Sequence, residues 1–124
     1  VFSRWLVEVA AAENCLIHDL VFLFVSDQEL LTMNKKYLKH NYFTDVITFG
    51  ELEDDKISGN IAISVDRVLD NSKRYGVSFD EELKRVMVHG LLHIIGYNDK
   101  TKKEKLTMSQ KETDALKMFH VKQV

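Results

Sequence analysis

The sequence predicts an α+β domain: a small mixed β-sheet packed by several helices, one of them carrying a His-x-x-x-His pair that could bear a metal. Three observations point there. Hydrophobic periodicity runs in the order helix, strand, helix, strand pair and then three helices, which sets helices against a small sheet. The balance of 45% hydrophobic and 29% charged residues over 124 positions suits a single modest core. No proline, internal repeat or low-complexity linker divides the chain, so residues 1–124 are expected to form a single domain.

The elements follow in chain order. In residues 2–12, Phe2, Trp5, Leu6 and Val9 fall at helical spacing, with Asn14 as the stop. Residues 20–25 (LVFLFV) form a continuous apolar run, rich in Val and Phe and short enough to be a buried strand. Asp27 offers a side-chain cap for a helix through Leu38, with Leu30, Leu31, Asn34 and Tyr37 at suitable spacing. Residues 46–49 and 57–64 predict two strands, joined as a hairpin by the acidic, turn-like GELEDDK. Asp66 is the predicted cap of a helix to Tyr75, which Gly76 ends, and Ser78 or Asp80 opens the next, FDEELKRVMVHGLLHII. After a break at residues 96–99, a last, largely polar helix is expected from Lys102 to about Val121, with Leu106, Leu116 and Phe119 as its apolar positions.

Composition narrows the function. No apolar run approaches the roughly 20 residues needed to span a bilayer, which argues against a membrane protein. The lone Cys15 cannot form an internal disulfide and nothing resembles a cleavable signal peptide, so a cytoplasmic address is expected. A formal net charge of -2 gives no global attraction for a polyanion, so a nucleic-acid partner would need a local basic patch. Lys35, Lys36, Lys39 and His40 form one such patch, and Lys100, Lys102, Lys103 and Lys105 another. The alternative is that both are solvated helix faces. Cys15 and the acidic stretch Glu51 to Asp55 are expected to be structural or solubilising.

The chemistry concentrates in HGLLHIIGYND, residues 89–99. Four-residue spacing places His89 and His93 on one helix face with Cβ atoms about 5–6 Å apart, close enough to converge on one ion. Gly96 can take the left-handed conformation that ends a helix and turns the chain back, letting Asp99 close a third side. Three protein ligands leave a coordination position open, as catalytic zinc sites do. At about 100° per residue, Leu83, Met87, Leu91 and Ile94 lie on one side of the helix, while His89 and His93 lie nearly opposite with Glu82, Arg85 and Gly96. The competing interpretation is two ordinary histidines on an amphipathic helix.

The motif resembles that of the YbeY family of metal-dependent bacterial endoribonucleases, H-G-x-L-H-x-x-G-Y-D-H: His89, Gly90, Leu92, His93, Gly96 and Tyr97 match in place. NKKYLKHNYFTDVITF (34–49) is similar to the family's N-x-x-Y-R-x-x-D-x-P-T-D-V-L-S-F, and GNIAIS (59–64) to its G-D-I-x-I-S. Two positions depart from the pattern. Asp99 stands at the family's third histidine, with Asn98 at the aspartate before it, and a carboxylate oxygen is an acceptable zinc ligand. Leu38 stands where the family has an arginine that acts on RNA, which leaves Lys39 and His40 as the nearest substitutes. The family also has a strand upstream of the first helix, and the chain begins with Val1 rather than Met, so an N-terminal strand is expected to be missing here.

The resemblance implies a metal-dependent, single-strand-specific endoribonuclease of ribosomal RNA processing, acting in late-stage maturation of the 16S rRNA 3′ end and in ribosome quality control. It implies one Zn2+ on His89, His93 and Asp99, with Lys39 and His40 as catalytic cations. Lys35, Lys36, Lys39, Lys100, Lys102 and Lys103 are the expected RNA-binding residues. Ribosomal RNA and the small ribosomal subunit are the expected partners, with neither a membrane nor a small organic cofactor. Two alternatives compete: a non-catalytic ribosome-assembly factor with a structural zinc, and a zinc peptidase. The peptidase class needs a glutamate base after the first histidine, and that position is Gly90.

Overall fold

A computed structural model describes residues 2–119. Its elements are α1 (Phe2–Ala12), β1 (Leu16–Val25), α2 (Asp27–Leu38), β2 (Val46–Glu53), β3 (Lys56–Ser64), α3 (Val65–Tyr75), α4 (Phe79–Ile95) and α5 (Lys102–Lys117). The sheet is mixed, in the order β1-β3-β2, with β1 parallel and β2 antiparallel to the central β3. This is the α+β class that the hydrophobic pattern predicts.

Side chains alternate across a strand, so β3 serves two cores at once. Ile57, Ile61 and Ile63 enter the main core with Trp5, Leu6 and Val9 of α1, Val68 of α3, Val88, Leu91 and Leu92 of α4, and Met108 of α5. Ala62 points the other way, into a smaller cluster with Leu30 of α2 and Ile47 of β2. Trp5 Nε1 donates to the Ala115 carbonyl at 2.7 Å, tying α1 to α5 through a buried bond.

Several boundaries differ from expectation. β1 starts at Leu16 rather than Leu20, and it is not buried: as an edge strand it leaves Val21, Leu23 and Phe24 exposed. The apolar run marked a strand, but burial is set by the neighbours a strand finds. The acidic stretch expected to be turn is largely strand, because the ladder continues to the pair Glu53 and Lys56. Only Asp54 and Asp55 turn, at φ 51° and 63°, a two-residue left-handed turn whose twist suits a hairpin. α5 ends at Lys117, and the expected end at Val121 lies outside the described residues.

The caps of α2 and α3 are also corrected. Ser26 caps α2, its Oγ accepting the Glu29 N–H at 3.1 Å, and Ser64 caps α3 by accepting the Arg67 N–H at 3.1 Å. The aspartates instead bridge the two helix starts: Asp66 accepts the Asp27 N–H at 2.8 Å, while Asp27 accepts from Ser64 Oγ and from Arg67 Nη2 at 2.7 Å. Both carboxylates thus sit at helix N-termini, where negative charge is favoured. Gly76 and Ser78 play the expected roles at the end of α3 and the start of α4. No described helix is long and apolar enough to cross a membrane.

Candidate metal centre

α4 lies hard against β3 because residue 90 has no side chain. A Cβ on Gly90 would fall 2.8 Å from Ile61 Cγ2. The contact fixes the height and rotation of the helix above the strand, and with them the direction of His89 and His93. It also denies the peptidase reading its base, since position 90 faces the sheet, where a glutamate has no room.

Gly96, at φ 126°, ends α4. Its N–H reaches the Leu92 and His93 carbonyls at 3.1 Å, and the Tyr97 N–H reaches Leu92 at 3.0 Å. The chain then turns back and delivers Asp99 to the histidines. His89 Nε2 and His93 Nε2 are 3.0 Å apart, and Asp99 Oδ2 lies 3.2 Å from the first and 3.4 Å from the second. A tetrahedral ion with bonds of about 2.0–2.1 Å sets its ligand atoms about 3.3–3.4 Å apart, so these three atoms are spaced as ligands of one ion.

The remaining ring nitrogen of His89 faces Glu112 of α5, with Nδ1 2.5 Å from Oε2. A carboxylate can only accept, so Nδ1 carries the proton and Nε2 presents its lone pair to the centre. Such a carboxylate–histidine pair is the usual outer support of a metal ligand. Glu112 is held in turn by Arg85, whose Nη1 donates to Oε1 at 3.0 Å. Two imidazole nitrogens 3.0 Å apart repel unless an electrophile lies between them, and either a cation or a proton meets that need. Burial by itself pulls the His89 imidazolium down, but the Glu112 hydrogen bond and the charges of Glu112, Asp99 and Asp45 outweigh it, leaving its pKa above the ordinary value. Two imidazole nitrogens and a carboxylate oxygen make a donor set that could hold a divalent metal ion.

Two further carboxyls lie near the centre. Burial lifts Asp45 above the ordinary carboxylate range, against the pull of His89. Glu82, two turns before His89 on α4, is 2% exposed, and burial lifts its carboxyl too, against the pull of Arg85. Its Oε1 has no hydrogen-bond partner among the described residues. Sequence reasoning placed Glu82 on the histidine face without giving it a role. It missed Asp45, which sits inside the quoted TDVITF, and Glu112, for which α5 offered no signal.

The centre opens into a cleft of about 530 Å3 lined by His40, Tyr42, Asp45, His89, His93 and Asp99, among others. Leu38, at the family's arginine position, also lines it. No lysine or arginine is among the described residues that line it. Lys39 caps α2 in the left-handed conformation, at φ 56°, and is exposed. Lys35 and Lys36 are in the last turn of α2, and Lys100, Lys102 and Lys103 lie around the start of α5, all five of them exposed. Lys103 borders a separate, smaller depression of about 250 Å3 with Gly96, Tyr97 and Asn98.

Comparison with known proteins bears on this geometry. Residues 1–120 match the family model described as Endoribonuclease YbeY. A protein named Endoribonuclease YbeY from Karelsulcia muelleri is 49% identical over 111 residues, covering 90% of this chain and 79% of the relative. One of the same name from Flavobacterium psychrophilum is 44% identical over 122 residues, covering 98% and 87%. A solution structure of a Thermotoga maritima protein superposes with a TM-score of 0.69 at 27% identity, covering 94% of this chain and 77% of that one.

Proposed function

Because this chain belongs to the YbeY family of endoribonucleases, we propose that it is a metal-dependent, single-strand-specific endoribonuclease acting in the cytoplasm on ribosomal RNA. Its task on this reading is late-stage maturation of the 16S rRNA 3′ end and ribosome quality control, with the small ribosomal subunit as partner and one Zn2+ as cofactor. The observation that carries it is the convergence of His89 Nε2, His93 Nε2 and Asp99 Oδ2 within one ion's coordination sphere, at the floor of an open cleft.

A divalent ion there supplies Lewis acidity toward a phosphoryl oxygen. The chain's own residues do the rest. Glu112 fixes the tautomer and orientation of His89, and Arg85 fixes Glu112. His40 Nδ1 is paired with the Tyr42 hydroxyl, which leaves Nε2 for a phosphate oxygen, so His40 rather than Lys39 is the hydrogen-bonding group that lines the cleft. Asp45 and Asp99 make the cleft acidic, so a phosphodiester is repelled until a cation occupies the centre. Lys35, Lys36, Lys39, Lys100, Lys102 and Lys103 lie outside the lining and serve the flanking RNA backbone.

The test is cleavage of a single-stranded RNA spanning a 16S 3′ end precursor, with the same sequence as a duplex, before and after chelation and zinc restoration, alongside metal analysis of the purified protein. Zinc-restored cleavage of the single strand alone is expected. Cleavage that survives complete chelation would remove the metal from the reading.

A further inference from the structure

We propose that His40 and Tyr42 form a stacking platform for an unpaired nucleobase next to the phosphate that is cut, and that this platform gives the cleft its preference for single strands. The proposal rests on the endoribonuclease reading and adds to it how the substrate is held.

The two rings are already stacked, with centroids 5.1 Å apart and planes 20° from parallel, and the Tyr42 hydroxyl lies 2.9 Å from His40 Nδ1. Both residues line the same cleft as His89, His93 and Asp99. Tyr42 is 55% exposed, and its described ring and hydroxyl contacts are with His40, so the ring is not serving the core.

The loop that carries them is fixed from below by one buried residue. Asn34, 1% exposed, donates from Nδ2 to the Tyr42 carbonyl at 2.9 Å, and its backbone carbonyl accepts the N–H groups of Lys39 and His40. A buried polar side chain spent on holding an exposed loop makes the platform rigid before substrate arrives, so little ordering is required on binding.

The occupant follows from the chemistry. The cleft offers no lysine or arginine among its described lining residues with which to hold a polyanion, so part of the binding energy must come from a source other than charge. Every nucleobase has a π-face that stacks on an aromatic side chain irrespective of its identity. In a duplex those faces are already covered, whereas an unpaired base can turn out onto the ring, so the platform distinguishes strand state rather than sequence.

The experiment uses the whole zinc-loaded protein and a ten-nucleotide single-stranded RNA with one 2-aminopurine, whose fluorescence falls when it stacks. The parent and Tyr42→Phe should quench it, while Tyr42→Ala should abolish the quenching and weaken binding about tenfold. The salt dependence of binding should be the same for all three, because every phosphate keeps its cationic partner. Quenching by Tyr42→Ala equal to the parent, loss in Tyr42→Phe as large as in Tyr42→Ala, or no RNA binding by the parent overturns the platform. Cleavage of the same RNA is followed in parallel. Stacking without cleavage would sink the nuclease reading and leave the platform standing, and cleavage indifferent to Tyr42 would do the reverse.

Discussion

Glu112 Oε2 lies 2.5 Å from His89 Nδ1, across the interface of two helices and 23 positions of sequence. This one contact sets which nitrogen of His89 faces the centre. Glu112→Ala should therefore weaken zinc binding about 10- to 100-fold, read by competition with a chromogenic chelator. Affinity equal to the parent would show that the His89 tautomer is fixed by something else.

Asp99 and Asn98 are neighbours with opposite expected fates. Asp99→Ala should lose most zinc affinity, Asp99→His should retain it, and Asn98→Ala should bind as the parent does, all measured by titration calorimetry. The control matters because loss in Asn98→Ala with binding kept in Asp99→Ala would mean that the turn after Gly96 delivers a different group.

Glu82 gives a pH-dependent prediction whose sign is fixed by burial. Its folded-state pKa is raised, so its contribution is fully present below the ordinary glutamate value of about 4.3 and is lost as pH rises through the raised one. Glu82→Gln should accordingly stabilise the protein at pH 7, by an amount of order 1 kcal/mol, and gain little at pH 4. Urea midpoints at the two pH values test this, and an equal gain at both would rule out titration as the cause.

Gly90→Ala should destabilise by about 1–3 kcal/mol, because the new methyl must displace Ile61 or lift α4 from the sheet. Combined with Ile61→Ala, which removes the Cγ2 that the new methyl meets, it should cost less than the sum of the two single losses. Thermal melts of the single and double variants measure the coupling, and strict additivity would contradict the close approach of Gly90 to Ile61.

The lysines of α2 are predicted to act through charge alone. Replacing Lys35, Lys36 and Lys39 together by Ala should reduce the slope of log affinity against log salt by about one unit for each phosphate they neutralise in the parent. An unchanged slope would place the RNA backbone elsewhere.

The convergence of His89, His93 and Asp99 was legible in the sequence because helix geometry is local: four-residue spacing and a glycine stop are enough to bring two histidines and a following acid together. Element order was legible for the same reason, since period follows from backbone geometry. What escaped depends on contacts between distant segments. Asp27 and Asp66 each have the chemistry of a cap, and only tertiary packing reveals that they bridge a neighbour's helix start while Ser26 and Ser64 do the capping. The exposure of Val21 and Phe24 depends on what lies beside β1, which hydrophobicity does not record. Glu112 is one of many acids on polar helices until α5 is seen against α4.

That α5 supplies Glu112 makes assembly of the centre wait on a segment that follows its other parts in the chain. His89, His93 and Asp99 all precede α5 in order of synthesis, so the three candidate ligands leave the ribosome before the residue that orients His89. On the zinc reading, docking of α5 and retention of the ion favour each other by the same factor, as any two linked equilibria must. Added zinc should slow amide hydrogen exchange along residues 102–117 even though none of the three ligands lies on that helix, making occupancy a report on whether the fold has closed.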